Sequence, residues 1–321
     1  MSITQINTKN SPTEWLRGLH SNIGRVIYGK DEQIMKILCA WICGGHVLLE
    51  DVPGTGKTML ARTLAKSVAL PFKRSQFTPD LLPSDITGVN IFNRKTQEFE
   101  FRPGPVFTSV FLADEINRAT PRTQSALLEA MSEKQVTVDG KTYQLDPLFF
   151  VIATENPVEQ SGTFTLPEAQ LDRFHIRIGL GYPDEKAEKQ IVLSQQQHHP
   201  IDDVTPYLQR EQLVAIKESL QKIEIHEPVL NYCLSIVKKT RNHPELMLGA
   251  SPRASLALIN LAKAMALVQE KEYVSPDHIQ EFALPVLAHR IVLTPDARFT
   301  GLSSKSILEN IIKSIPVPIG L

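Results

Sequence analysis

The stretch Glu50-Asp51-Val52-Pro53-Gly54-Thr55-Gly56-Lys57-Thr58, EDVPGTGKT, decides how this chain is read. It follows an apolar run, His46 to Glu50 (HVLLE), that reads as a buried strand. It precedes MLARTLAKSVAL, in which Leu60, Leu64 and Val68 recur at every fourth position, as do Ala61, Ala65 and Ala69. That spacing predicts a helix with a wide apolar face. A glycine loop between strand and helix is the context in which main-chain N–H groups wrap a phosphate. Gly54 and Gly56 let the chain bend sharply with no side chain intruding. Lys57 brings a positive charge to the β- and γ-phosphates, Thr58 offers a hydroxyl to Mg²⁺, and the helix start adds a partial positive charge. The candidate nucleotide contacts are therefore Pro53, Gly54, Thr55, Gly56, Lys57, Thr58 and Met59. One position departs from the usual pattern: Asp51 stands where the loop ordinarily begins with glycine, and Gly54 keeps the loop flexible.

Two further strands complete the chemistry. Val110 to Ala113 is apolar and ends in Asp114-Glu115. Asp114 is placed to hold Mg²⁺ through water, as a partner to Thr58, and Glu115 to polarise the attacking water. Strand ends often carry acids, so this pair gains its meaning from following a phosphate loop. Phe149 to Ala153 is a third buried strand, leading to Thr154-Glu155-Asn156-Pro157. Asn156 at its tip can bond the γ-phosphate or orient the water; by itself an Asn before Pro is a turn residue.

The rest of the chain sets the frame. Its 321 residues are 42% hydrophobic and 21% charged, as expected of a globular protein of one or two domains. Lys and Arg number 34 against 35 Asp and Glu, a net charge of -1 that argues against nucleic acid as a partner. No run is long enough to span a membrane, and the polar N-terminus lacks a signal-type apolar segment. Cys39, Cys43 and Cys233 are the only cysteines and read as core thiols of a reducing, cytoplasmic compartment. Residues 12–23 and 30–43 read as amphipathic helices, Phe72 to Phe77 as a second strand, and Ile176 to Leu180 as the last. Thr120-Pro121 opens a helix reaching about Lys134. From Tyr182 onward helical periodicity takes over, with Ser251-Pro252 and Ser275-Pro276 as further helix openings. The fold class is α/β, a parallel sheet flanked by helices with a smaller all-α domain behind it. The division is expected at residues 1–182 and 183–321, with a hinge near Gly181-Tyr182-Pro183.

These elements, in this order, resemble an AAA+ P-loop ATPase, and more finely the MoxR family within its helix-2-insert branch. The resemblance rests on LLEDVPGTGKT (48–58), FLADEINRATPRTQSALLEAM (111–131), VIATENPVEQSGTFTLPEAQLDRF (151–174) and GASPRA (249–254), and spans about residues 22 to 300. It implies that Lys57 and Thr58 form Walker A, Asp114 and Glu115 Walker B, and that Asn156 is sensor 1. It also implies that Arg253 is sensor 2, a cation near the γ-phosphate acting in its own subunit or across an interface. Arg173 in LDRF is similar to the arginine finger that reaches a neighbour's nucleotide, a contact worth about 10³–10⁵ in rate in other phosphate-cleaving systems. The bland alternative for Arg173 is a surface ion pair with Asp172. Arg118, close behind the acidic strand, is a further candidate to cross an interface.

The resemblance also names two insertions. The region around GVNIFNRKTQEFEF (88–101) is similar to a helix-2 insert, with Phe92, Phe99 and Phe101 expected in its hairpin core. QVTVDGKTYQLD (135–146) is similar to a pre-sensor-1 hairpin, turning at Asp139-Gly140. The turn VIYGKD (26–31) fits the place where relatives hold adenine, with Val26 and Ile27 giving apolar contact and main chain near Tyr28 and Gly29 reading the base edge; an ordinary interhelical turn is the alternative. The implied function is ATP hydrolysis, with ATP and Mg²⁺, by a homo-hexamer ring that remodels or matures partner proteins, among them proteins with a von Willebrand factor A (VWA) domain. A chelatase- or helicase-type motor, sharing both insertions, and a nucleotide-gated scaffold that seldom hydrolyses are the rival readings.

Overall fold

The computed structural model describes residues 11–158, 162–196 and 198–318. Helix α1 (Pro12–Gly24) opens on a capping box in which Ser11 and Glu14 each bond the other's main-chain N–H. Helix α2 (Asp31–Ile42) stops just before Gly44, whose φ of +72° is left-handed backbone that glycine adopts without strain. Strand β1 (Val47–Glu50) feeds the glycine loop and helix α3 (Lys57–Ser67). Strand β2 (Phe72–Gln76) is followed by helix α4 (Pro83–Thr87) and the hairpin β3 (Gly88–Asn93) and β4 (Glu98–Pro103). Strand β5 (Val110–Asp114) and helix α5 (Pro121–Glu133) come next, then the hairpin β6 (Gln135–Val138) and β7 (Lys141–Gln144). Strand β8 (Phe150–Glu155), helix α6 (Glu168–Leu171) and strand β9 (Ile176–Ile178) complete the α/β part.

Five of these strands form one parallel sheet in the order β2-β5-β8-β1-β9. The three inner strands β5, β8 and β1 are almost continuously apolar because both their faces are covered, whereas the edge strand β2 carries exposed Lys73 and Arg74. Val47, Leu49, Val110, Leu112, Phe150 and Ile152 point to one apolar layer; Leu48, Phe111, Ala113, Val151 and Ala153 point to the other, against Leu127, Leu128 and Phe174. The parallel register puts the ends of β1, β8 and β5 side by side, with Glu50 opposite Glu155 and Gln76 opposite Asp114. The glycine loop, the acidic pair and Asn156 therefore leave the sheet at the same edge, where open α/β sheets bind ligands.

The remainder is helical. Helices α7 (Glu185–Ser194), α8 (Arg210–Ser219) and α9 (Glu227–Arg241) lead to strand β10 (Leu246–Leu248). Helices α10 (Pro252–Val268) and α11 (Pro276–Leu287), strand β11 (Val292–Leu293), and helices α12 (Pro295–Phe299) and α13 (Ser304–Lys313) follow. Ser251 caps α10 through Arg253 N–H, and Ser275 caps α11 in concert with His278. Thr120 stands at the start of α5, but its hydroxyl makes no cap bond and lies beside that of Thr123 at 3.4 Å. Leu213, Ile236, Leu258, Phe282 and Leu308 join the apolar cluster containing Leu49 and Phe150, the helices packing on α1 and α2 and, through α11, on β9. The pair β10–β11 was not anticipated: two or three residues each, some 45 positions apart, leave no periodic signal.

The insertions correct one expectation. Phe92 and Phe99 are not hairpin core: they are 47% and 73% exposed and meet edge to face at 5.4 Å. A two-stranded ribbon has no second layer to cover its outer face. Phe101 does pack, stacked on Tyr143 at 3.9 Å and against Phe107. With Asn90 Nδ2 donating to Asp139 Oδ2 at 2.7 Å, that stack joins the two hairpins side by side. Asp139 (φ +49°) and Gly140 (φ +78°) are both left-handed, the geometry that twists a two-residue turn with its strands.

Candidate nucleotide-binding site

Gly54 and Gly56 have φ of +85° and +88°, and a Cβ on either would point into open space. The loop is thus a cradle whose inner surface is main chain. Lys57 Nζ lies across it, donating to Asp51 O at 2.8 Å and Val52 O at 2.9 Å. Partial burial pulls its ammonium below the ordinary lysine range, and the carboxylates of Asp51, Asp114 and Glu115 oppose that pull. Pro53, Gly54, Thr55, Gly56, Lys57, Thr58 and Met59 line a cavity of about 350 Å³ together with Asp114, Glu115, Thr154, Glu155 and Asn156.

The acidic pair is tightly held. Asp114, 8% exposed, accepts from Thr154 Oγ1 at 2.7 Å on one oxygen and from the Arg74 guanidinium at 2.6 and 3.1 Å on the other. Glu115 has left-handed backbone at φ +56° and ψ +52°, a conformation kept where surrounding contacts enforce it. Its N–H donates to Thr154 Oγ1 at 2.8 Å, so one buried hydroxyl organises both acids. The Glu115 carboxylate accepts from Gln76 Nε2 at 2.7 Å and Arg118 Nη1 at 2.9 Å. Asn156 is 6% exposed, and its Oδ1 accepts from Val158 N–H at 3.1 Å. Next to it, burial and the facing Glu50 raise the Glu155 carboxyl to about 7, against the opposing pull of Arg177.

Beside the cradle, Val26 and Ile27 meet Met59, Ile201 and Val204 in a small apolar cluster. Gly29 has φ +67°, and a Cβ there would come within 2.9 Å of Ala187. Arg173 and Arg253 lie elsewhere. They line a separate cavity of about 310 Å³ with Lys134, Asp172, His175 and Arg290, and neither lines the phosphate cavity. Asp172 bonds Arg290 Nε at 2.7 Å and Ser251 Oγ at 2.9 Å, and the buried Arg173 Nε has no hydrogen-bond partner among the described residues.

The profile of the ATPase family associated with various cellular activities (AAA) matches residues 46–176, and that of the AAA lid domain matches 238–311. The chain is 50% identical to protein YeaC of Bacillus subtilis, itself uncharacterised, over 93% of both chains. It is 38% identical to the chaperone MoxR1 of Mycobacterium tuberculosis, over 92% of this chain and 80% of that protein. It is 30% identical to protein MoxR of Paracoccus denitrificans, over 94% and 96%. The chain belongs to the MoxR family of AAA+ ATPases. A crystal structure of a Cytophaga hutchinsonii protein, provisionally assigned as an ATPase, shares its fold with a TM-score of 0.89 and 40% identity over 96% of both chains.

As a MoxR-type chain, it carries residues at the site that sequence reasoning missed. Arg74 and Gln76 on β2 sit among alternating residues with nothing to mark them, and only the register with β5 brings them to the acids. Thr154 read only as a residue just past a buried strand, and the structure puts it inside β8. Ile201 and Val204 lie far along the chain in a Pro-Ile-Asp-Asp-Val segment whose two apolar residues show no period. Arg290, 4% exposed, bonds Asp172, the main-chain oxygens of Phe174 and His175, and that of Val286. It thereby fixes the LDRF segment to α11. The donor set suits the groups the family implies. The hydroxyl of Thr58 and the carboxylate of Asp114 are hard oxygens fit for Mg²⁺, and the open cradle with its ammonium fits a triphosphate.

Proposed function

We propose that this MoxR-type chain hydrolyses ATP with Mg²⁺ and couples the cycle to remodelling a partner protein. The observation that carries the reading is the convergence of Lys57, Thr58, Asp114, Glu115 and Asn156 on one cavity at the sheet edge. Lys57 would leave the carbonyls of Asp51 and Val52 for the phosphates, since an ammonium gains more from two phosphate charges than from two dipoles. The amides around Gly54 and Gly56 would seat the phosphates, and Val26, Ile27, Met59 and main chain at Gly29 the adenine. Thr58 and Asp114 would hold Mg²⁺, which when bound draws charge from the phosphate oxygens. Glu115 would take the proton as a water oxygen bonds to the γ-phosphorus and the bond to the ADP oxygen breaks. Asn156 would orient that water.

Supporting an active site shared between subunits, Arg173 and Arg253 occupy one cavity away from their own phosphate loop. Two cations that share a cavity apart from their own phosphate loop fit a neighbour's γ-phosphate better than their own, so both are assigned in trans within a homo-hexamer ring. The chain division at 182/183 belongs to this reading, supported by the end of β9 at Ile178 and the start of α7 at Glu185. So does a cytoplasmic location, supported by three free thiols. The named chaperone relative supports protein remodelling; a partner with a VWA domain is the client class we assign. A partner-stimulated and DNA-indifferent ATPase rate would separate this from a chelatase- or helicase-type motor.

The nucleotide-gated scaffold is kept as a second reading on one observation: Glu115 is clamped by Gln76 and Arg118, away from any base role until released. Calorimetry with MgATP and a turnover assay test both. Lys57→Ala is expected to lose at least about 100-fold in affinity, and Glu115→Gln to keep affinity while losing about 100-fold or more in turnover. Wild-type turnover no faster than that of Glu115→Gln would favour the scaffold.

A further inference from the structure

Asp51 occupies the first position of the glycine loop, where the general pattern has a residue without a side chain. It is 7% exposed, and its carboxylate is fully engaged by main chain. One oxygen accepts from Val52 N–H at 2.9 Å, inside the loop. The other accepts from Leu180 N–H at 2.8 Å and Gly181 N–H at 2.7 Å, just past the last sheet strand. Those two amides begin the segment that walls the base end of the site. From there the chain runs through Tyr182, whose carbonyl takes Lys30 Nζ at 2.8 Å, and into α7, where Ala187 packs on Gly29. It then reaches Ile201 and Val204, which pack on Val26. The same residue's main-chain oxygen holds Lys57 at 2.8 Å.

We infer that Asp51 is a positioning residue that joins the phosphate cradle to the segments 180–196 and 198–204, so that seating the phosphates also fixes the wall against which the base rests. The inference rests on the nucleotide-binding reading above. When phosphate draws Lys57 away from the Asp51 and Val52 carbonyls and fixes the loop, the Asp51 carboxylate is fixed with it. The Leu180 and Gly181 amides then share that rigidity, and so does the chain that follows them. Glycine at this position would leave both amides without this acceptor and the two halves of the site independent.

A base-free ligand isolates the effect. Magnesium tripolyphosphate can touch the cradle and cannot touch Val26, Ala187, Ile201 or Val204. In the wild-type chain it is expected to slow amide hydrogen exchange at Leu180, Gly181 and α7 by about tenfold, an effect of local opening. Asp51→Gly removes all three N–H contacts, whereas the amide of Asp51→Asn has a single acceptor oxygen and keeps either the Val52 contact or the Leu180 and Gly181 pair. In Asp51→Gly tripolyphosphate should still slow exchange in the loop 52–58, with the effect at 180–194 reduced to less than about twofold. MgATP should protect both regions in all three proteins, because the base reaches the wall directly. Equal protection of 180–194 in wild type and Asp51→Gly, or none in a wild type whose loop is protected, would overturn the inference and leave ATP binding intact. Failure of wild type to bind MgATP at all would overturn both together.

Discussion

At the scale of single residues, the site is organised by a hydroxyl. Thr154, 1% exposed, donates to Asp114 and accepts from the Glu115 amide, so it sets the side chain of one acid and the backbone of the other. Thr154→Val keeps the shape and leaves both partners unmatched. Unfolding in urea should show a loss of about 1–3 kcal/mol, and turnover should fall by more than MgATP affinity does. Equal falls in both would place Thr154 in ground-state binding alone. Glu115 is held in strained backbone with its carboxylate on Gln76 and Arg118. The strain fits a residue whose position is enforced for use, since a non-glycine at φ +56° costs on the order of 1 kcal/mol or more. Thr154 and Gln76 come from other strands and leave no spacing signal, whereas Arg118 comes from the turn three residues after Glu115.

At the scale of elements, legibility followed periodicity. The strand before Lys57, the helix after it and the strand ending at Asp114 all carried strong patterns, and each lies within a residue or two of its expected bounds. The Asp139-Gly140 turn was readable because only left-handed backbone closes a two-residue hairpin with the right twist. Gly140→Ala should lower stability by about 1 kcal/mol, seen as a lower urea midpoint with an unchanged slope. An unchanged midpoint would mean that the hairpin opens independently of the core. What the pattern could not carry was pairing between distant segments. Phe101 and Tyr143 lie on different hairpins and stack only because both insertions leave the same end of the domain. Phe92 and Phe99, equally apolar, gain no such partner and stay exposed. A run of alternating residues predicts a strand; it does not say which face finds cover.

At the scale of the whole molecule, burial sets the response to pH. Burial holds His46 at about 3 and His175 at about 4, and keeps His289 well below the ordinary histidine range. As pH falls below 6.5 the unfolded chain takes up protons at these three positions and the folded chain does not, so stability is lost on that side. Glu155 acts in the opposite sense: its folded value of about 7 means that the folded chain takes up a proton first as pH falls from 7 towards 4.5. With His278 also lowered and Glu281 also raised, the histidines outnumber the carboxyls, and the net effect near pH 5.5 is a loss on the order of 1–3 kcal/mol per pH unit. Urea unfolding at pH 7 and pH 5.5 reads this slope directly, and equal stability at the two pH values would contradict it. Glu155→Gln should steepen the slope in that interval.

The same scale carries the central claim, that hydrolysis needs Glu115 from one subunit and Arg173 from the next. Arg173 lines a cavity apart from its own phosphate loop, beside Arg253. Arg173→Ala alone and Glu115→Gln alone should each form rings that bind MgATP and turn it over at least about 100-fold more slowly than wild type. The decisive measurement is the ATPase rate of these two variants mixed and reassembled. Recovery of a substantial share of the wild-type rate, peaking near equal proportions, is the expected result, since intact Glu115 then meets intact Arg173 at some interfaces. A mixture no faster than its two components, in rings proven to be mixed, would contradict the account.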